Sequence, residues 1–203
     1  MKATAPLLEA YRAAGATVGE IHGTTTGLVL APGGRGLWLA DLSALPKWLL
    51  IGPDAPAVLA DADLLVPALM QAQAGNAGAF VACRAPRQYL VAAGDSALPP
   101  PSLREADCAL RHDCADFVVG GGSGGSGIDD LLAEACTADL GPFPPAAFVP
   151  TLCFGVEAAL MRHGAQAWRV LAAPADGEFL AAALLAAVRE RHGALAGYRD
   201  FLG

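Results

Sequence analysis

The residues of this chain best suited to chemistry are thinly spread, and their densest group is Cys108, His112 and Cys114. Thiol and imidazole are zinc donors, yet C-x3-H-x-C matches no closed zinc pattern and offers no fourth ligand, so coincidence in an Ala-rich chain is the favoured reading. Asp113 beside His112 suggests an acid–base pair, but neighbours in a strand point to opposite faces. No Ser sits in a G-x-S-x-G elbow, so nucleophilic hydrolysis has no support. Asp61, Asp63, Asp129 and Asp130 read as helix-end carboxylates, the last two suiting the positive end of a helix dipole. Trp38, Trp48 and Trp168 read as core, with stacking on a ligand the minority alternative. His163 in Met-Arg-His-Gly reads as a hairpin end.

Residues 120–127 are GGGSGGSG, in which Gly122, Gly124 and Gly127 formally satisfy G-x-G-x-x-G. That motif works by letting backbone N–H groups and a helix N-terminus approach a pyrophosphate. Here Asp129 and Asp130 in the first helical turn would repel phosphate, and GPFPP interrupts before any following acidic strand end. The tract reads instead as a flexible Gly/Ser loop or a linker, native or designed.

The composition bounds what these residues can serve. The 203 residues are 54% hydrophobic and 16% charged, which excludes a disordered acidic tail. A net charge of −7 with 13 scattered basic residues excludes a nucleic-acid surface. No apolar run reaches the roughly 18 residues of a membrane span, and the N-terminus lacks an apolar signal core. Five scattered cysteines without Cys-x-x-Cys suit a reduced, cytoplasmic protein. A mean hydropathy of +0.42 is high for a soluble monomer and favours a partner subunit that hides apolar surface, the alternative being that Ala-rich composition alone produces it.

The elements that must position these residues follow from pattern. A short amphipathic helix is expected over Ala5–Ala14, and two strands, Gly27–Leu30 and Gly36–Ala40, around the turn at Pro32-Gly33-Gly34. Lys47–Ile51 reads as a strand stopped by Gly52-Pro53, after which Asp54 is a candidate N-cap and Pro56 sits in the first turn of a helix running to about Asp63. Pro99-Pro100-Pro101 reads as a stiff connector. A helix is expected over Ile128–Thr137, strands over Leu152–Met161 and Ala167–Ala172, and the strongest helix over Gly177–Arg191. Strand, Gly turn and helix thus occur twice, at Leu45–Leu64 and Ala115–Leu140, each followed by strand-like segments. The expected class is α+β: one domain over 1–203, of two pseudo-symmetric halves at about 25–98 and 103–190.

The block DLSALPKWLLIGPDAPAVL (Asp41–Leu59) resembles the opening of the folate-binding glycine-cleavage T-protein superfamily, where a D-x-S strand leads into a Gly-Pro-Asp-Ala turn and helix. Leu131–Pro174 is similar to the gamma subunit of heterotetrameric sarcosine oxidase. The matching features are Cys136–Leu140 at a helix end, the Phe-Pro segment Phe143–Pro145, and the turn Arg162–Gly164. The resemblance covers about Leu37–Val188.

The resemblance implies a T-protein-like domain of antiparallel strands with packed helices. It also implies an accessory, non-catalytic small subunit of a hetero-oligomeric oxidoreductase acting on N-methylated amines such as sarcosine or dimethylamine. Flavin, haem or iron–sulfur centres are then expected on larger partner subunits. Active folate-dependent members carry a Gly-Gly-x-x-Asp-Asp-like segment; the corresponding Gly78–Cys83 has no carboxylate, so folate binding is expected to be weak at most. The folate-cavity candidates are Asp41, Trp48, Asp95 and Glu157. The alternative is a stand-alone tetrahydrofolate-dependent aminomethyl or one-carbon transfer protein.

Overall fold

The computed structural model describes residues 3–30, 36–74, 79–93, 108–121, 127–140, 144–163 and 166–202. The expected connector Pro99–Pro101 and residues 122–126 of the glycine tract lie outside these residues. Two larger sheets form the body, antiparallel throughout except for the short parallel pair of β14 with β4. One contains β4 (Trp38–Asp41), β10 (Ala115–Gly120), β11 (Phe148–Cys153), β12 (Val156–Arg162), β13 (Ala167–Ala172) and β14 (Ala194–Leu195), in the order β11-β12-β13-β10-β4-β14. The other contains β5 (Lys47–Ile51), β6 (Ala72–Ala74), β7 (Ala79–Ala85), β8 (Gln88–Ala93) and β9 (Cys108–Arg111), in the order β6-β7-β8-β5-β9.

The two orders are the same path walked twice, with the first strand of each half exchanged. β4 belongs to the first half in sequence but pairs with β10, aligning Phe117 with Asp41 and Gly120 with Trp38. β9 belongs to the second half but pairs with β5, aligning Trp48 with Arg111 and Ile51 with Cys108. The registers superpose residue for residue, so Trp48 corresponds to Phe117 and Lys47 to Asp116. An α+β fold of antiparallel strands with packed helices follows.

Alternation along the strands divides the apolar residues among layers. Phe117, Val119, Trp168 and Val170 face α3 (Ile128–Ala135) and α4 (Gly177–Glu190), sharing one cluster with Leu131, Leu132, Leu180, Leu184 and Val188. Burying each of these helix leucines is worth roughly 1.5–3 kcal/mol. Leu50, Val81 and Val91 face α2 (Ala55–Asp61) through Val58 and Leu59. Phe80, Ala82 and Leu90 of one sheet meet Phe148, Met161 and Leu171 of the other. The layers therefore run helix, sheet, sheet, helix.

A third sheet, β1 (Ala3–Thr4), β2 (Thr17–Ile21) and β3 (Thr24–Val29) in the order β1-β3-β2, flanks the body with α1 (Leu8–Ala13) and α5 (Tyr198–Leu202). Tyr11 of α1 lies directly over Gly27, where a Cβ would stand 2.3 Å from the ring.

Several local expectations differ from the structure. The strands expected on either side of Pro32-Gly33-Gly34 belong to different sheets: β3 pairs with β1 and β2, and β4 with β10 and β14. The expected strand Leu152–Met161 is a hairpin turn and its flanks, because Phe154 (φ 50°) and Gly155 (φ 84°) are both left-handed. Two such residues match the right-handed strand twist of a two-residue hairpin. Asp54 holds the N-cap position of α2 but makes no capping side-chain bond. No helix among the described residues is long and apolar enough to cross a membrane.

Candidate functional site

Three charges stand alone in otherwise apolar strands: Lys47 at the start of β5, Asp116 in β10 and Arg169 in β13. Strand alternation turns all three into the space between the sheets, where their side chains are 0–1% exposed. Arg169 grips Asp116 with a two-point fork, Nε to Oδ1 at 2.6 Å and Nη2 to Oδ2 at 2.5 Å, and its guanidinium lies 4.3 Å from the centre of the Phe80 ring. Lys47 Nζ lies 3.1 Å from Asp116 Oδ2 and donates to the carbonyls of Leu45 (3.0 Å) and Leu42 (3.2 Å). Every ammonium donor thus has an acceptor, which a buried charge requires. Burial pushes the Asp116 carboxyl upward, but the charges of Arg169 and Lys47 and their hydrogen bonds outweigh it and hold it below the usual carboxylate range.

A second buried carboxylate braces this centre from the opposite side of its sheet. Asp41 accepts the backbone N–H groups of Leu7 (Oδ2, 2.9 Å) and Ser43 (Oδ1, 2.9 Å), while Ser43 Oγ accepts the N–H of Asp116 at 3.0 Å. Tyr11 Oη accepts the N–H of Asp41 at 3.0 Å and donates to the Ala196 carbonyl at 2.8 Å. Burial raises the Asp41 carboxyl, an effect that its hydrogen bonds to Ser43 and Leu7 offset in part and the nearby Asp116 charge adds to.

A cleft of about 750 Å³ opens where the two sheets part. Its floor is apolar, made by Leu90, Phe148 and Leu171, and its rim carries Arg84, His112, Asp113 and Glu157. His112 and Asp113 both line it, because residues 112–114 form an irregular link between β9 and β10 and not a strand with opposed faces. Burial, with the charges of Arg84 and Lys47, lowers the His112 pKa and favours neutral imidazole. Cys114 joins cleft and ion cluster: it lines the cleft, and burial pushes its thiol up to about 11. A flat ring with a polar edge suits such a surface, stacking on Phe148 and Leu90 and meeting Glu157 or Asp113 at the rim.

The four candidate residues are not gathered in one place. Glu157 lines the cleft and is exposed. Asp41 faces the N-terminal segment across its own sheet, bound to Leu7 and Ser43. Trp48 alternates with Lys47 and so points away from the inter-sheet space; its Nε1 lies buried without an acceptor. Asp95 lies outside the described residues. Among the described residues, no three His, Cys, Asp or Glu side chains are placed to hold a metal ion. Of the tryptophans, Trp168 is 1% exposed and donates to Asp129 at 2.7 Å, whereas Trp38 and Trp48 are half-buried. The ion cluster itself was not among the sequence-derived candidates. Its signal was one charge per apolar strand, two of them, Lys47 and Asp116, at corresponding register positions.

No protein-family profile matches this chain, and no curated protein matches its sequence. Solved structures do match in shape. The glycine cleavage system aminomethyltransferase T from Bartonella henselae superposes with a TM-score of 0.69 at 17% identity, over 98% of this chain and 61% of that one. The chain therefore spans under two thirds of the aminomethyltransferase. A chain of the heterotetrameric sarcosine oxidase from Corynebacterium sp. U-96, solved with pyrrole 2-carboxylate, superposes with a TM-score of 0.68 at 23% identity, over 94% of this chain and 96% of that one. The doubled strand path and exchanged first strands are thus set in the T-protein-like fold, the fold this chain has in common with the aminomethyltransferase and with a chain of sarcosine oxidase.

Proposed function

We propose that this chain is an accessory small subunit of a hetero-oligomeric oxidoreductase acting on N-methylated amines such as sarcosine or dimethylamine. The observation that carries this reading is mutual coverage: the chain and its sarcosine oxidase counterpart match over nearly the full length of both, while the aminomethyltransferase extends well beyond it. The buried charges agree, since Lys47, Asp116 and Arg169 are committed to one another and to backbone carbonyls. Flavin, haem or iron–sulfur groups would then reside on larger cytoplasmic partners. The chain would form one domain over 1–203, of halves 25–98 and 103–190, a division that the repeated strand path supports.

The second reading is a stand-alone tetrahydrofolate-dependent one-carbon carrier, and the inter-sheet cleft favours it. A pterin fits the residues present: Phe148, Leu90 and Leu171 offer a stacking floor, and Glu157 and Asp113 offer acceptors for its N–H edge. Folate, when bound, supplies the one-carbon acceptor; the chain's own part is to stack and orient it and to shield one face from water. Asp41 and Trp48 point elsewhere and would not touch a ligand there.

Purification from the native host decides between them. The accessory reading expects stoichiometric cofactor-bearing partners and, for the isolated chain, weak or no heat of tetrahydrofolate binding. A lone chain that binds tetrahydrofolate tightly, and loses that binding in Glu157→Gln, would establish the carrier instead.

A further inference from the structure

The strongest unassigned feature is a pair of thiols. Cys136 ends α3 and Cys153 ends β11, and the two lie directly opposite each other in an isolated antiparallel bridge. The flanking bonds fix the kind of bridge: Thr137 N–H reaches the Leu152 carbonyl at 3.0 Å, and Phe154 N–H reaches the Ala135 carbonyl at 2.7 Å. Cys136 and Cys153 are therefore the non-hydrogen-bonded pair. In such a pair the Cα atoms stand about 4.5 Å apart with the side chains closest, within the separation that a disulfide spans.

The surroundings hold this register. Cys153 is fixed on its other side by pairing with Val156 across the hairpin turn. Thr137 and Thr151 add a second clamp, with their hydroxyls 3.2 Å apart and each accepting a backbone N–H from the other's strand. Both sulfurs are shielded, Cys136 being 8% exposed and Cys153 0%. Thr137 and Leu152, the chain neighbours of the two cysteines, line the cleft, so alternation turns both sulfurs to the opposite face, into the cluster under α3. The thiols also interact, their hydrogen bond lowering the Cys136 pKa, and Cys136, the less buried of the two, is the sulfur an oxidant reaches first.

We propose that Cys136 and Cys153 form a reversible intramolecular disulfide, tying the end of α3 to β11. With hydrogen peroxide as oxidant, the Cys136 thiolate attacks one peroxide oxygen; the O–O bond breaks and one water leaves, giving a sulfenic acid. The Cys153 sulfur then attacks the Cys136 sulfur, and the hydroxyl departs with the Cys153 thiol proton as the second water. Two S–H bonds and one O–O bond are lost, one S–S bond and two O–H bonds are gained, and both electrons end on peroxide oxygen. A dithiol returns them to Cys136 and Cys153 through a mixed disulfide. The proposal is independent of what the cleft binds.

The test uses the full chain under dilute conditions. The reduced protein is treated with hydrogen peroxide, unfolded in urea, alkylated and mapped by mass spectrometry. The expected protein is lighter by two hydrogens, carries a linked Cys136–Cys153 peptide pair, and leaves three of its five cysteines alkylatable. Dithiothreitol should restore all five, and the oxidised form should melt at higher temperature. Five alkylatable thiols after oxidation, a link between other cysteines, oxygen retained on Cys136 without a link, or a link that dithiothreitol cannot open would each overturn the proposal. These readouts need only the wild type. The Cys136→Ser variant adds a control in which Cys153 should stay alkylatable.

Discussion

Lys47 and Asp116 hold corresponding positions in the two halves of the chain, and their side chains meet at 3.1 Å between the sheets. The two strands with matching registers, β5 and β10, therefore meet through an ion pair. Its neighbours are not symmetric: the register that places Leu90 opposite Leu49 places Arg169 opposite Val118. The two sheets thus share a strand path, while the space between them carries a charged centre with two cations facing one carboxylate.

That imbalance ranks three substitutions. Asp116→Asn leaves two buried cations without their counter-ion and should cost about 3–5 kcal/mol. Arg169→Met keeps the Lys47–Asp116 pair but loses the fork and the Phe80 contact, and should cost less. Lys47→Met leaves a neutral, doubly hydrogen-bonded Asp116–Arg169 pair and should cost least. Urea unfolding of the three variants checks the order; a Lys47 variant weaker than the Asp116 variant would mean that the cluster is not organised around Asp116.

Tyr11 ties the flanking sheet to the body through one hydroxyl, which serves the Asp41 N–H and the Ala196 carbonyl. Tyr11→Phe keeps the ring over Gly27 but strands two backbone groups, at a cost of about 1–3 kcal/mol. Chemical denaturation measures it, and an unchanged midpoint would mean that water replaces the hydroxyl.

Gly120 sits opposite Trp38 in the β10–β4 register, and a Cβ there would stand 2.0 Å from the Trp38 ring. Gly120→Ala should therefore overpack the strand pair, destabilising by about 1–3 kcal/mol with a shift in tryptophan emission. Adding Trp38→Leu should recover most of the loss, since it removes the obstructing ring. Additive penalties in the double variant would point to backbone strain as the cause.

How much of this was visible in the chain alone depended on whether the signal was periodic. The apolar residues Phe179, Leu180, Leu184, Leu185 and Val188 announced α4, which runs Gly177–Glu190, although Phe179 faces outward. The doubled strand–turn–helix, with Asp41–Leu59, announced the fold. The hairpin turn at Phe154-Gly155 was hidden because Phe is not a turn former, so the apolar run read as one strand. The cross-half pairing of β4 and β9 was hidden because both strands look local; only the sheet registers reveal the exchange. The ion cluster was missed because Lys47, Asp116 and Arg169 lie far apart in sequence, and each resembles an isolated strand charge. Asp41 drew notice as a ligand candidate, yet its oxygens are taken by Leu7 and Ser43.

His163 supplies a pH signature of this packed centre. It follows β12 at a half-buried position, and its pKa falls from 6.5 to about 4, first through burial and then through the charge of Arg169, with Asp116 opposing. The folded imidazole therefore stays neutral at an acidity where the unfolded chain takes up the proton. Stability from this group is complete above pH 6.5 and declines as the pH falls toward about 4. Asp41 works in the opposite direction, because its raised carboxyl binds a proton in the fold before it does in the unfolded chain, so wild-type data alone mix the two. His163→Gln removes only the first. Comparing urea midpoints at neutral pH and near pH 5, the wild type should lose about 1 kcal/mol more than His163→Gln, after discounting for solvent screening of a ring that is only part-buried. Equal losses would mean that the folded histidine titrates as it does in the open chain, and that the charge of Arg169 is fully absorbed by Asp116.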